Sequence, residues 1–134
     1  MKQRNRKIVY LDTSAFLAVA LSQEEGQKIF KKLQRAEAVV SCDLLISEAC
    51  SAFKREKQDL TLLRRLLEGV SIISPSLTID LVEAVLSKDY LRGADVHHLA
   101  SALWFCGNHT KEVVFLSLDR RQLDVAYGLG FLKD

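Results

Sequence analysis

The chain has 134 residues, 49% of them hydrophobic, which suffices for one packed core but not for two ordinary domains, so residues 1–134 read as a single domain. Its 19 basic and 17 acidic residues give a formal net charge of +2; this excludes a protein that coats nucleic acid by bulk charge and leaves any such contact local. No apolar run approaches the roughly 20 residues needed to span a bilayer, and no apolar leader stands before a cleavage site, so a cytoplasmic setting is expected.

The first element is the short β-branched run Ile8-Val9-Tyr10-Leu11. It stops at Asp12-Thr13-Ser14, residues that can cap the helix begun by Ala15-Phe16-Leu17. From Glu24 to Ala36, Ile29, Phe30 and Leu33 recur at helical spacing among lysines, and Ala38-Val39-Val40-Ser41 follows as a second strand. A long helix is expected from Asp43 to Gln58 and another from Leu60 to Leu67. Gly69 then ends the second before the strand Val70-Ser71-Ile72-Ile73, and Pro75 breaks the strand's continuation.

Helical periodicity returns from Leu77 to Leu91, restarts after Gly93 and runs to Cys106, where Gly107-Asn108 is a stop. Val113 to Leu118 is the clearest later strand; it leads into Asp119 and a helix ending near Gly128 or Gly130, with room for a short strand at Phe131-Leu132. Apolar strands separated by helices argue for a parallel sheet covered on both faces, hence a three-layer α/β/α domain. Cys42, Cys50 and Cys106 are odd in number and lie in apolar, helix-like stretches without the close pairing of a zinc or redox motif, so they read as reduced core thiols.

The acids stand in suggestive places. Ligands of such sheets bind outside the carboxyl ends of the strands, where the strand order reverses. Asp12 and Asp119 both follow strands; if those strands are parallel neighbours, the two carboxylates share one edge although they are 107 residues apart. Helix capping alone would explain each equally well. Glu48 falls on the apolar stripe Leu45, Ala49, Ala52, Phe53, where a charge requires a cation, a metal or a wet cleft, unless the helix is rotated enough to bring it to the solvent border. Asp95 lies in the first turn of a helix burying Val96, Leu99, Ala100 and Leu103; either the helix dipole or membership of the same crevice accounts for it.

Two carboxylates about 5 Å apart repel by roughly 3 kcal/mol at an effective dielectric near 20, and a divalent cation removes that penalty. Oxygen donors without histidine or cysteine suit magnesium or manganese, which polarise phosphoryl oxygens and help to generate hydroxide from water.

These segments carry a family resemblance. Val9-Tyr10-Leu11-Asp12-Thr13-Ser14-Ala15-Phe16-Leu17 resembles the first motif of PIN domains, Leu44-Leu45-Ile46-Ser47-Glu48-Ala49 the second, Arg92 to Ala102 around Asp95 the third, and Phe115-Leu116-Ser117-Leu118-Asp119 the fourth. The resemblance covers nearly the whole chain. It implies a parallel sheet of about five strands, metal-dependent RNA cleavage with loss of the 3′ oxygen, and a catalytic and metal-binding set of Asp12, Glu48, Asp95 and Asp119, with Ser14 and Ser117 as polar supports. The size is similar to that of VapC-type toxins, which implies an antitoxin partner and a homodimer. Two departures stand out: Ser117 occupies a position where threonine is commoner, and the segment from Asp119 to Leu123 is one residue longer than the usual pattern.

Several features remain open on sequence alone. The basic run Lys2 to Lys7 reads as a solvated tail, whereas Arg120 and Arg121 beside Asp119 are candidates for RNA-phosphate contacts. His98 is one helical turn from Asp95 and could pair with it, while His97 is expected to face solvent; Trp104 and Phe105 suit a core or subunit interface better than a base-stacking platform. The helical hairpin from Asp43 to Leu67, with Lys54, Arg55, Lys57, Arg64 and Arg65, resembles the antitoxin-accepting region of VapC-like proteins, and a solvated basic face fits as well. The alternative to a ribonuclease is a catalytically inactive PIN-like module that binds RNA or protein. A phosphate-accepting Asp12 of the receiver-domain kind is disfavoured by the lack of an acidic pair near the first strand.

Overall fold

A computed structural model describes residues 6–134 and contains β1 (Ile8–Leu11), α1 (Thr13–Ala20), α2 (Gly26–Gln34), β2 (Ala38–Cys42), α3 (Leu44–Arg55), α4 (Leu60–Leu67), β3 (Ser71–Ile73), α5 (Ile79–Leu86), α6 (Gly93–Cys106), β4 (Val113–Leu116) and α7 (Arg120–Gly128). The part of the basic N-terminal run before Arg6 lies outside the described residues; Arg6 and Lys7 are exposed. Four helices begin where the sequence offers a capping oxygen: Asp12, Asp59, Thr78 and Asp119 each accept a backbone N–H of the first turn.

The strands are parallel and ordered β3-β2-β1-β4. β1 pairs with β4 from Ile8 opposite Val113 to Leu11 opposite Leu116. Alternation along these strands feeds two cores. Tyr10, Val40, Val113 and Phe115 face α5, α6 and α7, with the Tyr10 and Phe115 rings stacked at 5.4 Å. Val9, Leu11, Val114 and Leu116 face α1 to α4, meeting Phe16, Ile29, Leu45, Phe53 and Leu63. Burying each such Leu, Val or Phe side chain contributes about 1.5–3 kcal/mol, so a sheet covered on both faces outweighs the local preferences of its short strands. After β3 the chain crosses to the far side of β1, which makes the β1/β4 boundary the switch point of the sheet.

Three expectations require correction. The sheet has four strands among the described residues, not about five: Gly130, with φ of +100°, turns the chain out of α7, and only Leu132 reaches β4, as an isolated bridge to Val114. β4 ends at Leu116 rather than Leu118 because Ser117 and the Leu118 amide turn toward Ser14, whose Oγ accepts that amide at 3.0 Å. α5 covers Ile79–Leu86 rather than Leu77–Leu91. Thr78 caps its start, and beyond its end the Asp89 carboxylate captures the Tyr90 amide at 2.7 Å, a local bond that competes with helix.

Gly26 has a steric duty. A Cβ there would run into the Ala18 carbonyl oxygen, so only glycine lets α2 start this close to α1.

Candidate active site

Asp12 directly follows β1 and caps α1, at the strand edge β1 shares with β4. Its Oδ2 accepts from the Ser14 amide at 3.2 Å and the Ser14 hydroxyl at 2.7 Å, with Ser117 Oγ at 3.2 Å; its Oδ1 accepts from Gln122 Nε2 at 3.2 Å. Asp12 is 4% exposed, and three donors stand in place of water, the Ser14 amide, the Ser14 hydroxyl and the Gln122 amide, because the single Ser117 proton goes to the nearer Gln122 Oε1. The Asp12 amide donates to the Leu116 carbonyl at 2.9 Å, which carries the β1–β4 pairing up to the site itself.

Asp119 stands at the corresponding place beyond β4 and caps α7, its Oδ1 accepting the Gln122 amide at 3.2 Å. Gln122 is fully buried and ties the group together. Its amide nitrogen also reaches the Asp95 carbonyl at 3.3 Å, and its Oε1 accepts from Ser117 Oγ at 2.6 Å. α6 brings in Asp95, whose side chain is 18% exposed and 3.7 Å from the exposed Arg92 guanidinium. Burial, then the charges of Asp12 and Asp119, raise the Asp95 carboxyl above its ordinary range despite Arg92 and His98. Asp95 therefore feels the charges of both other aspartates.

Glu48 reaches the same edge from α3 with a side chain 32% exposed, between the buried stripe and the solvent border. The partner it requires is His98: Oε1 accepts from Thr13 Oγ1 at 2.7 Å and lies 3.0 Å from His98 Nε2. The hydrogen bond to His98, which outweighs burial, holds Glu48 below the usual carboxylate range. His98 itself is 1% exposed, 2.9 Å from Thr13 Oγ1 and 3.8 Å from Asp12 Oδ1, while its Nδ1 lies 3.0 Å from Tyr10 Oη and 3.6 Å from Cys42 Sγ. Burial works to lower its pKa, but hydrogen bonding to Cys42 and Glu48 and the Asp12 charge overcome it and raise it to about 10. His98, buried, and Glu48, partly exposed, pair at 3.0 Å beside the aspartates.

Asp12, Asp95 and Asp119 supply oxygen donors whose mutual repulsion a hard divalent cation would relieve, so their chemistry fits magnesium or manganese. Glu48 fits less directly, because Oε1 is already shared by Thr13 and His98. Among the described residues, the acids do not make a trio with donor atoms all within 4.8 Å of one another; the group that does is Cys42, Asp43 and His97. A solvent-open cleft of about 420 Å³ runs along Glu48, lined by Thr13, Leu17, Ser47, Ser51, Ala52 and Arg55.

Of the other sequence assignments, Ser14 and Ser117 sit against Asp12 and against each other at 3.2 Å. Arg120 and Arg121 lie in the exposed first turn of α7, pairing with Asp124 at 3.2 Å and Asp89 at 3.6 Å, surface contacts of small net worth that leave both guanidinium groups free to rearrange. The expected pairing of His98 with Asp95 is incorrect: His98 points inward to Glu48, drawn by Thr13, Tyr10 and the buried carboxylate. His97 is half-buried rather than solvent-facing. Phe105 packs against the core, whereas Trp104 is 44% exposed. All three cysteines are free thiols; Cys42 closes a strand rather than lying in a helix-like stretch, Cys50 packs against the core, and burial pushes the Cys106 thiol up to about 12.

Sequence reasoning missed Gln122 and Thr13. A signal existed for the first: Asp119 with a glutamine three residues on is a capping-box spacing, here diverted so that the glutamine amide braces the acids instead of the cap. Thr13 had none beyond its place beside Asp12.

Carboxylates gathered at the switch-point edge of a parallel sheet, beside a buried histidine–glutamate pair, describe an α/β protein suited to holding a divalent cation. The sequence matches the PIN domain family over residues 9–127, and the chain belongs to that family. PIN domains have a metal-dependent nuclease-like fold and are generally nucleases that bind a divalent metal. No curated protein matches the sequence. No helix among the described residues is long and apolar enough to cross a membrane.

Proposed function

We propose that this chain is a magnesium- or manganese-dependent endoribonuclease, working in the cytoplasm as the toxin of a type II toxin–antitoxin pair, VapC-like in kind. The observation that carries the nuclease reading is the Asp12–Asp95–Asp119 group at the switch-point edge of the sheet, tied together by Gln122. Asp12, Asp95 and Asp119 would hold the cation, with Glu48 at the cleft side of the group. When bound, the ion supplies Lewis acidity at the phosphoryl oxygen and lowers the pKa of water.

The chain's own residues do the rest. Ser14, Ser117 and Gln122 fix the Asp12 carboxylate, His98 and Thr13 fix Glu48, and the cleft lined by Ser47, Ser51 and Arg55 offers polar and cationic contacts to an RNA backbone. Arg120 and Arg121 extend that surface on the Asp119 side. The α3–α4 hairpin, with exposed Ile46, Leu60 and Leu62 among its basic residues, suits an antitoxin segment or a second copy of the chain.

A second reading, a module that binds RNA or protein without cutting, draws on the engagement of Glu48 Oε1 by His98. Labelled single-stranded RNA incubated with magnesium, manganese or EDTA separates the two. Metal-dependent cutting by the wild type, lost in Asp12→Asn and Asp95→Asn, is the expected result. A clean, antitoxin-free wild type that leaves a broad RNA panel intact, and binds it no differently from both variants, would overturn catalysis. The toxin role predicts growth arrest on expression, relieved by the product of a short neighbouring reading frame.

A further inference from the structure

We propose that Cys42, Asp43 and His97 form a second metal site, for a borderline transition-metal ion of the zinc class, separate from the aspartate group. Cys42 is the last residue of β2, Asp43 stands between it and α3, and His97 is on α6, which packs against β2. The Cys42 sulfur, an Asp43 carboxylate oxygen and a His97 ring nitrogen all lie within 4.8 Å of one another. A tetrahedral zinc with bonds of about 2.0–2.3 Å needs donors roughly 3.3–3.8 Å apart, so rotamer adjustments of about 1 Å close the site.

A second observation points the same way. His97 Nε2 is buried and has no hydrogen-bond partner among the described residues, a costly state that coordination through this nitrogen would relieve. Burial is graded across the trio: Cys42 is fully buried, His97 half-buried and Asp43 exposed, so an ion can enter from solvent over Asp43.

The donor set decides the class of ion. Sulfur, imidazole nitrogen and one carboxylate oxygen suit zinc or cobalt and discriminate against magnesium, which prefers oxygen donors throughout. Three protein donors leave a fourth tetrahedral position for water. On binding, the Cys42 thiol gives up its proton to solvent and its sulfur lone pair to the ion, while His98 Nδ1 retains Tyr10 Oη at 3.0 Å. No residue is shared with the aspartate group, so the site stands or falls independently of nuclease activity. It would tie the β2–α3 junction to α6, two segments that lead to Glu48 and Asp95.

Cobalt titration of the metal-free full-length chain tests this. One equivalent should produce a sulfur-to-cobalt charge-transfer band with tetrahedral visible bands, displaced by zinc. Cys42→Ser and His97→Ala should abolish the charge-transfer band, and Asp43→Asn, at an exposed position that does not threaten folding, should weaken cobalt binding at least tenfold. Asp12→Asn and Asp95→Asn should leave it unchanged. Circular dichroism establishes that each variant is folded. Absence of the band in the wild type, its survival in folded Cys42→Ser or His97→Ala, unchanged affinity in Asp43→Asn, or its loss in Asp12→Asn would each overturn the proposal.

Discussion

Asp95→Asn should stabilise the metal-free protein and weaken its response to divalent cations. Asp95 is raised by burial and by the charges of Asp12 and Asp119, so its ionised form is disfavoured in the folded state. Like charges about 5–8 Å apart at an effective dielectric near 20 repel by roughly 2–3 kcal/mol per pair. Arg92, though 81% exposed, and His98 offset part of this, and water at the site mouth screens more, which leaves about 1 kcal/mol. For a chain of this length that is a rise in Tm of about 3–5 °C in EDTA. The folded pKa lies above the unfolded value, so the penalty is absent at low pH and complete at neutral pH; the advantage of the variant should therefore vanish as pH falls toward 4. With magnesium at about 100 times its Kd the wild type should gain about 2.7 kcal/mol, and the variant distinctly less. Calorimetry with and without metal measures all three. A variant less stable than the wild type in EDTA at pH 7 would show that Arg92 and the local hydrogen bonds dominate, and the idea of stored repulsion would have to go.

Three further outcomes follow from the packing. His98→Asn should cost about 2–4 kcal/mol in urea denaturation, because it takes the imidazole from the Tyr10 hydroxyl and leaves Glu48 with Thr13 alone. In the metal-free wild type, the His98 contribution is complete below pH 6.5 and declines as pH rises toward about 10; this slope should be missing from the variant, and an identical pH profile would refute the ion pair. Gln122→Leu keeps the volume but removes the brace on Asp12, so RNA cleavage should drop at least tenfold while circular dichroism stays native; unaltered cleavage would make Gln122 merely structural. Gly26→Ala should lower stability by about 2 kcal/mol or more through collision with the Ala18 carbonyl, and a neutral effect on Tm would mean that α1 and α2 can separate.

How much of this the sequence disclosed follows from how local each determinant is. β1 and β4 were legible because their apolar runs are bounded by aspartates, and parallel pairing then placed Asp12 and Asp119 on one edge. Glu48 showed through helical phase, and Asp95 through its place in the first turn of its helix. His98 was misjudged because sequence spacing reveals neighbours on its own helix, whereas its partners Tyr10, Cys42 and Glu48 come from three other elements. Leu132 was read for apolarity, yet pairing depends on the Gly130 turn before it. Gln122 drew no notice because a lone polar residue in the first turn of a helix carries no sign of burial, and only the assembled sheet shows that the space it enters is dry.

The pairing of β4 with β1 also has a kinetic side. Asp119 and Gln122 meet Asp12 only when β4 docks against β1, a closure of more than a hundred residues, which is entropically costly and therefore late. If so, the repulsion among the aspartates is absent from the folding transition state and complete only in the native protein. A cation gathered there would then slow unfolding and leave the folding rate nearly untouched, so that magnesium acts as a latch on the finished molecule; a chevron with a shifted folding arm would contradict this.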